Sequence, residues 1–385
     1  MTLLNPAFMY AATWTFVLLI YSLRLSDLLA PLRPSTVVLV IGTSLSFILG
    51  WLLESLPNYG RLATGKINLD ALGEVISSVQ VGKRLRVIWI LFALGISFEI
   101  VYFGGLPFLG LIGIGAQIPY ADFGIPGFHG LLNALFYTRC AVTFTRALLG
   151  SSKRLLPLII VSIGYPVLVM SRQVLISLIV QYVLIYFSIR RPSPRIFISA
   201  GAVLMAVLLI FGYLGDARSG RDSIIALAAP TFEYPDWLPS AFIWVYIYFS
   251  TPLNNVNYNI DISPNYLPLE TAGSFIPSFA REDFLSALGG TKQWDLVTET
   301  FNVGSLLQSL LTDFGVSGAI VFTLMCGVVF SWLRRRAATS PSAFFAVIVL
   351  LHGIALSFFA NLLFHLVFVF EIISTTWVLR RSSRR

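Results

Sequence analysis

Residues 83-KRLRVIWILFALGISFEIVYF-103 decide what kind of chain this is. Three basic residues, Lys83, Arg84 and Arg86, stand ahead of an apolar run that carries one charge, Glu99. At about 1.5 Å per residue, a window over 85–103 is long enough to cross a hydrocarbon core of about 30 Å. A basic cluster in front of such a run marks the cytoplasmic side.

The pattern repeats along the chain. Windows of similar character fall near 7–25, 35–55, 128–149, 155–170, 172–189, 196–214, 314–333, 341–359 and 361–379, which predicts an all-α polytopic membrane protein of about 10 transmembrane helices. The fifth and sixth windows touch at "MSRQ", where one of them is tilted or broken. Composition agrees: 57% of the 385 residues are hydrophobic and 11% charged, with mean hydropathy +0.82. Soluble domains run at roughly 45–50% apolar and about 25% charged. The formal charge of +8 sits in short arginine clusters between apolar runs, so it marks loops and not a nucleic-acid footprint. Cys140 and Cys326 lie inside apolar windows and pack there as small hydrophobes. The N-terminal "MTLLNPAFMYAATWTFVLLIY" lacks a basic leader region and reads as a retained first span.

Sidedness follows from the basic residues. Lys153 and Arg154, Arg190, Arg191 and Arg195, Arg334 to Arg336 and the tail "LRRSSRR" fall on the side of Arg86 by alternation, with both termini cytoplasmic. The loop "GGLPFLGLIGIGAQIPYADFGIPGF" opposite has no Lys or Arg; Arg24 and Arg33 are the exceptions. The whole chain, 1–385, reads as a single integral membrane domain, with residues 215–313 as a large external loop region within it. That region holds one further apolar piece, "WLPSAFIWVYIYFSTPL". A lone crossing there would invert Arg334 to Arg336, so 237–252 reads as a re-entrant or interfacial helix.

Charged residues at the external ends then stand out. In "GYLGDARSGRD", Arg218 and Arg221 run against the positive-inside bias, and Arg172 in "VMSRQVL" lies at another external end. Arginine's planar fork suits phosphate oxygens, and Gly215 and Gly220 free backbone N–H groups beside it, so a lipid pyrophosphate is a natural ligand. The plain alternative pairs Arg218 with Asp216 or Asp222 and lets Arg172 snorkel to headgroups. Glu99, in the outer third of its span, is either a base or the ion-pair partner of Arg139. His129 in "FGIPGFHG" is either a base or a helix-capping residue. His352 and His365 read as packing or lipid-facing residues, and Glu371 as paired within the bundle. The stretch "TPLNNVNYNIDISPNYLPLE", with Trp237, Trp244 and Trp294 around it, suits sugars through amides and ring faces, although an aromatic belt has the same look. "TDFGVSG" and "GLIGIGAQ" lack the kinase and dinucleotide context, and "DID" is too little for a metal.

The set "FEIVYFGGLPFLG", "YADFGIPGFHG", "SRQVLISLIVQYVLIY", "GYLGDARSGR", "WVYIYFSTPLNN" and "ETFNVGSLLQSLLTDFGVSGAIV" resembles the bacterial oligosaccharide-repeat-unit polymerases, the O-antigen polymerase type of membrane glycosyltransferase. The resemblance spans most of residues 97–333. It implies a GT-C-like fold in the bacterial inner membrane, with the site facing the periplasm. It also implies transfer of a growing glycan from undecaprenyl pyrophosphate to a hydroxyl of the next lipid-linked repeat unit. Arg172, Arg218 and Arg221 would stabilise the leaving pyrophosphate, with His129 or Glu99 as base and Asp216 and Asp313 behind them. Tyr120, Arg139, Tyr248, Asn254, Asn255 and Asn302 are the substrate-binding candidates. No cofactor or metal is implied. The partners implied are the undecaprenyl-pyrophosphate-linked oligosaccharide, membrane lipid and a chain-length regulator, with no nucleic acid. The related ligases are described with a base histidine in the large loop; residues 216–313 contain none, which favours polymerase. A flippase or transporter of a lipid-linked or anionic substrate is the rival of a different class.

Overall fold

A computed structural model describes residues 5–56, 68–150, 155–190, 193–289, 294–298, 301 and 304–380. The chain is all-helical, 73% helix, with no strand among the described residues. In chain order the helices are α1 (Pro6–Ser22), α2 (Pro34–Ser55), α3 (Leu69–Ser77), α4 (Val79–Phe103), α5 (Pro107–Leu111), α6 (Phe128–Leu148), α7 (Leu155–Leu168) and α8 (Arg172–Ile189). They continue as α9 (Pro194–Ser219), α10 (Arg221–Ala228), α11 (Ala241–Tyr258), α12 (Leu269–Gly273), α13 (Ser278–Ala287), α14 (Leu306–Ala337), α15 (Pro341–Ala355) and α16 (Leu366–Leu379).

Each of the ten apolar windows falls on a helix. Four are long and apolar enough to cross a membrane: α2, the run beginning at Val79, α8 and α14. This is a helical membrane protein by that measure. Local chemistry sets many boundaries. Pro6, Pro34, Pro194 and Pro341 stand at first helical positions, where proline's missing N–H costs nothing. Asn5, Asn68, Ser78, Ser171 and Ser340 cap with their side chains. The break expected at "MSRQ" is a tight turn: α7 stops at Leu168, Met170 takes φ +55°, and Ser171 caps α8.

The spine of the bundle is α2 against α14. A side chain at Gly50 would strike the Leu324 carbonyl, and one at Gly327 the Phe47 carbonyl, so the two backbones touch. Tyr10 of α1 stacks on Phe47, centroids 4.7 Å apart, and Phe330 of α14 closes the other side at 5.5 Å. A second cluster, Phe92, Phe136 and Tyr165, joins α4, α6 and α7.

The helices meet at two chemically different ends. At one, Arg335 of α14 pairs with Glu54 of α2, Arg84 of α4 reaches the Trp377 and Val378 carbonyls at the end of α16, and Arg190 donates to the Leu148 carbonyl at 2.8 Å. At the other lie the end of α4, the start of α6 and the elements drawn from residues 215–313. Both ends of α11 are tied there: Ser240, just ahead of it, donates to Asp216, and Asn257 accepts from Arg33 N–H at 2.8 Å. Midway, the Tyr246 hydroxyl accepts from Leu25 N–H at 2.8 Å. The segment is thus tied at both ends and midway to the end of α9 and to residues between α1 and α2.

Candidate functional site

The start of α6 and the last turn and a half of α4 meet around one carboxyl group. Glu99 is fully buried. Its Oε1 accepts from Ile125 N–H at 2.9 Å, and its Oε2 lies 2.7 Å from His129 Nδ1. When Nδ1 carries the hydrogen toward the carboxyl, Nε2 keeps its lone pair. The imidazole is held in place from the sides as well. Phe123 meets it edge-on at 5.7 Å, and Gly124, at φ +105°, could not carry a Cβ, which would lie 2.6 Å from His129 Cγ. The His129 side chain is 20% exposed, so the ring is anchored without being sealed off.

The alternative of a Glu99–Arg139 pair does not match this geometry. Both oxygens of Glu99 are occupied by His129 and Ile125, and Arg139 lies ten residues further along α6 than His129, about 15 Å deeper in the bundle. Nearer the pair, Tyr165 of α7 donates to Asn133 Oδ1 of α6 at 2.8 Å. That bond ties the end of α7, and with it the turn into α8, to the same end of α6.

Arg172 begins α8 just past that turn. Its Nη2 lies 3.6 Å from where a Cβ on Gly215 would stand, an ordinary contact distance, so the guanidinium rests against the last turns of α9. Asp216 follows Gly215 there and accepts from Ser240. Arg218 belongs to the final turn of α9, and its side chain lies outside the described structure.

Several other candidates have structural duties. Arg221 pairs with Asp236 at 3.2 Å, donates to the carbonyls of Pro235 at 2.8 Å and Leu238 at 3.2 Å, and lies over the Tyr234 ring. Its guanidinium thus braces residues 234–238. Asp313, proposed as a reserve base, is fully buried and accepts from Glu270 N–H at 2.8 Å and Thr271 N–H at 2.9 Å. It caps α12, so its oxygens are spent on backbone. Burial, and next the proximity of Asp313, raise the pKa of the Glu270 carboxyl.

The asparagines proposed as sugar ligands are likewise corrected. Asn254 accepts from the Tyr21 hydroxyl and Ala30 N–H and donates to the Leu28 carbonyl. Asn255 donates to the Phe301 carbonyl and accepts from Val297 N–H. Both are fully buried, and with Asn257 and Asn259 they knit α11 to its neighbouring loops. Tyr248 stacks on Trp244, centroids 5.5 Å apart, and Tyr120 is half exposed in the loop before α6. Asn302 lies outside the described residues. Among the described residues no group of three or more His, Cys, Asp or Glu side chains gathers.

The sequence reading missed Ile125 N–H, Gly124 and Ser240 as partners. Gly124 carried a signal, a glycine five residues ahead of a histidine in a proline-punctuated turn; Ile125 acts through its backbone and carried none. No family model, curated protein or solved structure matches this chain.

Proposed function

We propose that this chain polymerises lipid-linked oligosaccharide repeat units in the bacterial inner membrane, on a GT-C-like bundle with its site facing the periplasm. The Glu99–His129 pair carries the reading. His129 Nε2 takes the proton of an acceptor hydroxyl as that oxygen forms its bond to the anomeric carbon. The bond from that carbon to the polyprenyl pyrophosphate breaks, and the electron pair leaves with the pyrophosphate. Glu99 holds the imidazole in the required tautomer and offsets the charge it gains, the usual arrangement for an activated base. Arg172 at the start of α8, with Arg218 of the last turn of α9, supplies fixed positive charge for the leaving group. Substrate-binding roles stay with Tyr120 and Tyr248.

The experiment is direct. Purified protein in lipid is incubated with a polyprenyl-pyrophosphate-linked repeat unit and the glycolipids are separated by size. A ladder that disappears in His129→Ala and Arg172→Ala supports the reading. Unchanged monomer from folded protein, with substrate crossing vesicles instead, points to the transporter; transfer of a single glycan block to a different lipid acceptor points to a ligase.

A further inference from the structure

A second buried polar group sits inside the bundle, away from His129, and the reaction above makes no use of it. Glu371 of α16 is 1% exposed, and its Oε2 lies 3.0 Å from Gln181 Nε2 of α8. Gln181 is itself fully buried, and its Oε1 has no partner among the described residues. Ser177, one turn earlier on the same face of α8, is also fully buried, with its hydroxyl near Tyr137 of α6. From α6, the Thr138 hydroxyl meets Ser374 Oγ at 2.5 Å and Thr375 Oγ1 at 3.2 Å. Counted along the helices, these groups stand about 8–15 Å in from the nearer helix starts.

An ionised carboxylate at this depth costs several kcal/mol, and one amide N–H offsets only part of that. It also leaves the Gln181 oxygen with no donor. A single proton removes both problems. The oxygen and nitrogen of a carboxamide exchange places by a half-turn. With Gln181 turned, a neutral Glu371 donates its O–H to the Gln181 oxygen, and the amide N–H groups point toward the face that Ser177 shares. We infer that α6, α8 and α16 enclose a proton-binding site, with Glu371 as the acid and the Gln181 carboxamide as its acceptor.

The titratable neighbours fit a neutral site. Tyr137 and Cys140 of α6 lie near enough to interact with Glu371, and neither is charged in ordinary conditions. His352 of α15 faces Phe368 of α16 at 4.7 Å, and neither of its nitrogens has a partner. Arg139 follows Thr138 on α6 and has a contact of its own. On α4, which also packs on α16, Glu99 is held by His129, and Lys83, Arg84 and Arg86 lie at the opposite end.

The test is infrared difference spectroscopy of the full chain in lipid, wild type minus Glu371→Gln, together with thermal unfolding. The expected result is loss of one protonated-carboxyl C=O band that shifts in deuterated water, with the unfolding temperature unchanged at about pH 4, where folded and unfolded Glu371 are both protonated. As pH rises above about 4.3, the wild type should lose stability that Glu371→Gln keeps, because the unfolded chain releases a proton that the folded site retains. Gln181→Leu supplies a second reading in case Glu371→Gln does not fold: it should move the band upward by removing the acceptor. The inference fails if no carboxyl band is lost, or if Gln181→Leu leaves the band in place. It fails equally if the band vanishes in sodium chloride but not in choline chloride, which would assign a metal cation. Glu371→Gln and Arg139→Gln each lowering stability, with the double variant no worse than either, would assign an ion pair.

Discussion

The two ends of the bundle use charge in opposite ways. At the basic end cations meet helix C-termini: Arg84 takes carbonyls at the end of α16, and Arg190 takes one at the end of α6. At the other end carboxyl groups meet N–H and O–H donors: Asp313 caps α12, Asp216 holds Ser240, and one oxygen of Glu99 holds Ile125. The basic pattern complements the partial negative charge of helix C-termini, and Asp313 complements the N-terminus of α12. Glu99 differs in giving its second oxygen to the His129 imidazole, while Arg172 lies against a glycine of α9.

The comparison predicts the largest effect at His129. Replacing it by Ala should lower polymerisation about 10²–10⁴-fold, the usual weight of a positioned general base. Glu99→Gln keeps the shape and loses the charge, so it should cost less, with protein level in the membrane unchanged for both. Size-resolved glycolipid products give the measurement, and full activity of His129→Ala would leave the two ends functionally alike.

Sequence made the bundle legible because lipid imposes a long apolar period, and all ten windows fall on helices. It also placed Glu99 and His129 at matching ends of consecutive apolar windows. The way those two pair was not legible, since a mid-helix Arg139 offered an equally good partner on paper. Depth decides it: the ten-residue offset from His129 to Arg139 separates them by about 15 Å, which a list of charges does not express. Asn254 and Asn255 misled for a related reason. A loop rich in Asn and Tyr looks the same whether its amides face a sugar or a neighbouring backbone, and here long-range contacts with residues 21–30 and 297–301 take them.

Asp313 tests the structural side of the same end. Asp313→Ala leaves two buried N–H groups of α12 unpaired, each worth about 1–3 kcal/mol. Thermal unfolding should shift down accordingly, while activity per folded molecule stays near wild type. A catalytic loss at unchanged stability would return Asp313 to the list of bases.

His365 gives a smaller, pH-dependent effect. It caps α16 by accepting Val367 N–H at 3.3 Å. Burial, and next the nearby Arg281, push its imidazole from 6.5 down to about 4. The folded state thus favours the neutral ring, so its contribution is complete above about 6.5 and is lost as pH falls toward 4. The unfolding temperature should drop across that window, and His365→Gln should flatten the drop. An unchanged slope in the variant would place the acid sensitivity in other groups.

The smallest effect is expected at Arg221, and it decides whether that arginine belongs with the site or with the bracing charges. Its pair with Asp236 is open to water on the aspartate side, and exposed pairs contribute about 0–1 kcal/mol. Its two carbonyl bonds hold residues 235–238 against α10. Arg221→Ala should therefore speed proteolytic cleavage within 229–240 while leaving the product ladder almost unchanged. Arg221→Lys should restore neither carbonyl bond fully, because a single ammonium cannot reproduce the fork that spans Asp236, Pro235 and Leu238. If the ladder disappears in Arg221→Ala with cleavage unaltered, the guanidinium acts on substrate, and the division between the ends fails at this residue.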